Sequence, residues 1–130
     1  MFRKAFLNTA ITCLGIVAAV NNVSHAQTQS EMNQSANVDY KKADAELNKS
    51  YRDVLNKLDA SGKTDLKAAQ NAWIKYRDLD CKFQSGGASG GSVQAMVVAG
   101  CLTDKTVART KELNGLLHCQ EGDVSCVVAP

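Results

Sequence analysis

The sequence predicts an all-α fold: a small antiparallel bundle of three to four helices with disulfide bridges. Three observations predict it. Three segments place apolar residues at steps of three and four, no stretch alternates convincingly as a strand does, and four cysteines follow an export signal. With 130 residues, 45% hydrophobic and 22% charged, the chain has material for one domain at most.

Residues 1–26 read as a secretory signal. Arg3 and Lys4 give a basic start, residues 5–20 are mostly apolar, and Ser24-His25-Ala26 sets small residues at the −3 and −1 cleavage positions, so the mature chain is expected to begin at Gln27. The apolar stretch is interrupted by Asn8 and Thr9 and falls short of the about 20 residues a spanning helix needs, so no integral membrane segment is expected after cleavage. Cys13, after Thr12 and inside that stretch, reads as part of the signal. The destination is the periplasm or the exterior.

The first helix is expected from about residue 30 to about residue 60, with Ser30 as N-cap. Its stripe is Met32, Ala36, Tyr40, Ala43, Leu47, Tyr51, Leu55 and Leu58. Ser61-Gly62-Lys63 then interrupts it, and Thr64 with Asp65 caps a second helix striped by Leu66, Ala69, Trp73, Arg77 and Cys81. So short a link implies an antiparallel hairpin of these two helices.

Residues 85–92, Ser-Gly-Gly-Ala-Ser-Gly-Gly-Ser, hold no side chain able to anchor a core and read as a loop. A third helical region follows, from about residue 93 to residue 117, with a bend expected near Gly100 or Thr103 and a restart at Asp104. The domain is thus residues 27–117, and residues 118–130 form a tail without periodicity that depends on a disulfide for order.

Cys81, Cys101, Cys119 and Cys126 allow three connectivities. Pairing of nearest neighbours is favoured: Cys81 with Cys101 encloses the Gly-rich loop, and Cys119 with Cys126 closes the tail. A metal site, with His118 as bait beside Cys119, lacks the C-x-x-C spacing of zinc patterns, so no metal and no cofactor is expected.

Charged residues also fall inside the stripes. At 100° per residue, Asp44 lies in the middle of the first helix's apolar face with Asn48 at its edge. Arg77 is central on the second helix with Gln70 to one side, and Arg109 shares a face with Leu102, Thr106 and Leu113 on the third. An unpaired buried charge costs several kcal/mol, so Asp44 is expected to bridge Arg77 or Arg109. Asn48, Gln70 and tyrosine hydroxyls would complete a polar core. On this reading Asp44→Ala lowers stability strongly and Asp53→Ala does not. Charges gathered in this way also mark active sites; no nucleophile, base or metal ligand joins them, and a structural role is preferred. Trp73, on the stripe, reads as packing; Tyr76 lies off it and reads as exposed.

Net charge limits the function classes. The signal holds no acid, and without Arg3 and Lys4 the remaining basic groups equal the 13 acids, which gives no electrostatic support for a nucleic-acid partner. The mature chain keeps one His, and it has no G-x-S-x-G and no phosphate-binding Gly loop, so an enzyme is not expected.

Several of these residues, taken together, resemble a known family. Glu31-Met32-Asn33-Gln34-Ser35-Ala36, Tyr40, Ala43-Asp44-Ala45-Glu46-Leu47-Asn48 and Tyr51 are followed by Ala69-Gln70-Asn71-Ala72-Trp73-Ile74, Tyr76-Arg77-Asp78 and Cys81. Gly90-Gly91-Ser92, Cys101 and the spacing of Thr106, Arg109 and Leu113 continue the pattern. It is similar to the LprI-like lysozyme inhibitors, small exported bacterial proteins, over residues 29–113. The family usually has Cys where this chain has Ser35, with another Cys upstream that is also missing here. The resemblance implies an all-helical exported domain and, as for some members, inhibition of a peptidoglycan-cleaving lysozyme.

A glycosidase cleft carries two essential carboxyl groups, so a blocking element should protrude and offer donors or a cation. Residues 85–92 with Lys82 fit that description, which makes Lys82, Ser85, Ser89 and Ser92 candidate contacts. The other function class is a non-inhibitory envelope adaptor or immunity-like binding protein, using the face with Lys41, Lys42, Lys49, Arg52 and Lys57.

Overall fold

The structure is a computed structural model that describes residues 18–128, with side chains from residue 28. Residues 1–17, which hold most of the expected signal and Cys13, lie outside the described residues. Helix α1 spans Ala18–Lys57, α2 spans Ala60–Gln84 and α3 spans Gln94–Leu116, with one 3-10 turn, Gly86–Ala88, between the last two. No strand occurs among the described residues.

Ser30 lies inside α1 and is not its cap: the stretch from Ala18 to Lys57 contains neither Gly nor Pro, so nothing in it stops a helix. The break between α1 and α2 also falls earlier than expected, at Leu58 and Asp59. Asp59 is the N-cap of α2, its Oδ1 accepting from the Gly62 amide at 2.7 Å. Gly62 therefore sits in the first turn of α2 and does not end α1. A Cβ there would lie 3.2 Å from Asp59 Oδ1 and from Leu58 Cδ2, so the glycine serves a close approach. Thr64, the expected cap, turns its hydroxyl back to the Ala60 carbonyl at 3.0 Å.

α3 runs unbroken through Gly100 and Thr103, against the expected bend. Thr103 Oγ1 donates to the Ala99 carbonyl at 2.8 Å, and a single mid-helix glycine costs only about 1 kcal/mol.

α1 and α2, joined by only Leu58 and Asp59, form the expected antiparallel hairpin, but the closest helix pair is α1 with α3. The cause is side-chain size. Ala43 and Ser50 on α1 and Ala99 and Thr106 on α3 are buried and spaced by seven, which lets the backbones approach. These two helices run parallel: Asn33 Nδ2 donates to the Ser92 carbonyl at one end, and Leu47 and Val54 pack with Leu113 toward the other. α2 returns antiparallel between those ends.

Leu47, Val54, Leu66, Leu113 and Val128 form the core, with Tyr51, Leu55, Leu58 and Trp73 packed against it. Two residues expected in the stripes are exposed, Met32 and Ala69, while Ser50 and Val54 are buried in their place. The contact face of α1 follows 43, 47, 50 and 54, a seven-residue repeat that the wider stripe obscures. The disulfides join Cys81 to Cys101 and Cys119 to Cys126, the nearest-neighbour pairing. The tail has a second anchor: Val128 is 2% exposed inside the core.

Candidate functional site

The interior polar groups form two clusters joined by Trp73. In the first, the Arg77 guanidinium, its side chain 7% exposed, lies 5.5 Å from the Tyr40 ring centre and 5.2 Å from that of Trp73. Its Nε and Nη2 each stand 2.9 Å from Asp78 Oδ1, and its Nη1 stands 3.3 Å from Thr106 Oγ1 and 3.6 Å from Asp44 Oδ1. Burial raises the pKa of the Tyr40 hydroxyl although Arg77 pulls it down.

In the second cluster Arg109 donates from Nε to Gln70 Oε1 at 3.1 Å and from Nη1 to Glu112 at 2.7 Å, with its guanidinium 6.0 Å from the Trp73 ring. Arg109 makes no ion pair with Asp44 among the described residues. Asp44 itself is not in the middle of a buried face: its side chain is 42% exposed at the rim between α1 and α2. Asn48, expected beside it in the polar core, is exposed and donates to Asp44 Oδ2 at 3.0 Å. Gln70 is buried. All the described buried side-chain polar atoms have partners, so these clusters present no unsatisfied group to a substrate.

A third pair ties α2 to α3. Lys105 Nζ stands 2.5 Å from Asp80 and 5.2 Å from the Tyr76 ring centre. The hydrogen bond between the two charges lowers the Asp80 pKa and raises that of Lys105.

The turn after α2 is far more ordered than its composition suggests. Ser85 is buried, its Oγ donating to the Cys81 carbonyl at 2.6 Å, so it is a brace and not an exposed contact. Backbone amides of Ala88, Ser89, Gly91 and Gln94 donate hydrogen bonds to the carbonyls of Ser85, Gly86, Ala88 and Gly91 and close successive tight turns, and Gln94 Oε1 accepts from the Gly90 amide at 2.9 Å. Lys82, Ser89 and Ser92 are exposed along this turn. Beneath it an open groove of about 600 Å³ runs between α1 and α3, lined by Asn37, Tyr40, Ser92 and Val98 among others. A hollow of about 280 Å³ adjoins it through Gln94, Val98 and Leu102, and brings in Asp78 and Lys82.

The basic residues of the adaptor reading, Lys41, Lys42, Lys49, Arg52 and Lys57, are all exposed, and Lys49 pairs with Asp53 at 3.1 Å. Sequence reasoning missed a different surface. Phe83 is 82% exposed, Leu79 59% and Tyr76 57%, and their spacing of three and four, on the side of α2 turned from its buried stripe, was the signal available. Among the described residues no helix is long and apolar enough to cross a membrane, and no group of three His, Cys, Asp or Glu could hold a metal ion.

The sequence model of the family described as "Lysozyme inhibitor LprI" matches residues 19–113. An uncharacterised protein of Rhizobium meliloti (strain 1021) is 41% identical over 109 residues, which cover 74% of this chain and 78% of the relative. No solved structure gives a significant match.

Proposed function

Because the chain belongs to the LprI lysozyme-inhibitor family, we propose that it is an exported protein that binds and inhibits a peptidoglycan-cleaving lysozyme. The family match over residues 19–113 carries this reading. The two disulfides are consistent with an oxidising compartment, the periplasm or the exterior.

The contact we assign is the turn between α2 and α3, through Lys82, Ser89 and Ser92. A cation and hydroxyl donors suit a cleft built on carboxylates. Order in the free turn supports the choice, since a segment already held by hydrogen bonds loses less entropy on docking than a free Gly-rich loop would. Gly86 and Gly87 stand clear of other atoms, with nothing within 4 Å of a Cβ built on either, so a bulky substitution there blocks docking and leaves the bundle alone.

The test is a cell-wall lysis assay with oxidised protein from Gln27 onward against lysozymes of several types. Gly87→Arg and Lys82→Glu are expected to weaken inhibition while keeping the thermal midpoint. Full inhibition by both variants would remove the turn from the interface; no inhibition of any lysozyme by the parent protein would remove the function.

A further inference from the structure

The outer face of α2 is left exposed by the packing of the bundle. Ala69, Ala72, Tyr76, Leu79 and Phe83 follow one another at steps of three, four, three and four, and all are exposed. That is the seam of a helix that pairs with another helix, repeated over two heptads. Its N-terminal half is small, which permits close approach; its C-terminal half offers a phenyl ring, an isobutyl group and a phenol. The phenol is held in place by Lys105 over its ring.

The two edges of the seam differ in charge. At 100° per residue Lys75 and Lys82 lie along one edge, and neither enters an ion pair among the described residues. Asp80 lies on the other edge, where Lys105 already neutralises it. Free positive charge beside an apolar stripe is complementary to a partner with free carboxylates.

That asymmetry separates the possible occupants. A second copy laid antiparallel sets one lysine edge against the other; laid parallel, it brings to the lysines only Asp80, which Lys105 already holds. A flat anionic lipid surface meets Asp65, which enters no ion pair among the described residues, together with the lysines. A helix with an apolar stripe and an acidic edge, laid over residues 69–83, stops short of Asp65 and meets neither penalty.

We propose that the outer face of α2 docks an amphipathic helix of a partner protein, with apolar residues on the seam and carboxylates against Lys75 and Lys82. This surface shares Lys82 with the contact proposed for the turn, but its apolar seam lies along α2 and does not rest on the lysozyme reading.

Isothermal titration of the intact, oxidised protein with two designed helical peptides of about 20 residues tests it. Both carry Leu on the seam; one has Glu and the other Lys at the edge positions. The Glu peptide is expected to bind at least about tenfold tighter than the Lys peptide, and Lys75→Glu with Lys82→Glu to reverse that preference. Leu79→Glu is expected to abolish binding while circular dichroism and lysozyme inhibition stay as in the parent.

Equal binding of the two peptides, or binding of neither, overturns the proposal. So does loss of inhibition in Leu79→Glu, which would make this face part of the inhibitory contact. Sedimentation showing a dimer that Phe83→Glu dissolves would assign the face to a second copy, and adsorption to phosphatidylglycerol vesicles lost in the same variant would assign it to lipid; either result also overturns it.

Discussion

Arg77 takes its shortest carboxylate contact, 2.9 Å, from Asp78, its own neighbour in sequence, while Asp44 on the facing helix stands at 3.6 Å. The buried cation is thus held by a local pair, two aromatic faces and Thr106, and Asp44 is a half-exposed accessory. Asp44 is half-exposed, its contact is the longer one, and Asp78 still neutralises Arg77 without it, so Asp44→Ala is expected to lower stability by about 1 kcal/mol or less, in the same range as Asp53→Ala. Arg77→Ala removes the shared partner of both carboxylates and the stack on Tyr40 and Trp73, and is expected to lose about 2–4 kcal/mol. Urea midpoints of the three variants check the order; a large loss in Asp44→Ala alone would restore it as the partner that matters.

Val128 closes the core from a tail that has no helix. The Cys119 to Cys126 bridge limits how far that segment can wander, and by the chain-entropy model a loop this short contributes about 2 kcal/mol. Val128→Ala is expected to cost about 1–2 kcal/mol through lost burial, and replacing both tail cysteines by Ser a similar amount. Because one acts by placing the other, the triple variant should lose less than the sum, a coupling read directly from denaturation midpoints. Strict additivity would mean that Val128 finds its site without the bridge.

The sequence makes the helices and both disulfides legible, because periodicity and cysteine spacing are local signals. It is poorer on whatever depends on how the helices meet. Asp44 is central on the stripe of an isolated α1, yet the pairing of α1 with α3 through Ala43, Ser50, Ala99 and Thr106 rotates Asp44 to the rim. Composition of the Gly-rich turn records chain freedom, while its order comes from Ser85, Gln94 and backbone hydrogen bonds that composition does not encode. The seam on α2 has a clear period, but it competes with the Leu66, Arg77 and Cys81 stripe on the same helix, and only packing decides which face is buried.

Asp80 and Lys105 make the contact between α2 and α3 dependent on pH. The Asp80 pKa is lowered from 3.8 by its hydrogen bond with Lys105, so its contribution is present above 3.8 and lost as pH falls through the lowered value. The Lys105 pKa is raised from 10.5 by the same bond, so its contribution is present below 10.5 and lost as pH rises through the raised value. Parent and Asp80→Asn proteins should therefore differ by a constant amount across the neutral range and converge at both extremes. Thermal midpoints collected against pH read this; a difference that does not change toward acid would mean the pair is not coupled to folding.

Gly87 and Gly90, three residues apart in one turn, should respond to alanine with opposite signs. Gly90 has φ +78°, a left-handed conformation that a Cβ disfavours, whereas Gly87 sits at negative φ with nothing near its missing side chain. Gly87→Ala reduces the freedom of the unfolded chain without strain and is expected to add about 0.4–1 kcal/mol; Gly90→Ala is expected to lose about 1 kcal/mol or more. The same pair tests whether order in the turn serves binding. If a preformed turn lowers the entropy lost on docking, Gly90→Ala weakens lysozyme inhibition more than Gly87→Ala does, although its methyl is the same size and lies in equally open space. Equal inhibition by the two variants, with stabilities split as expected, would show that the turn's conformation is a property of the bundle alone.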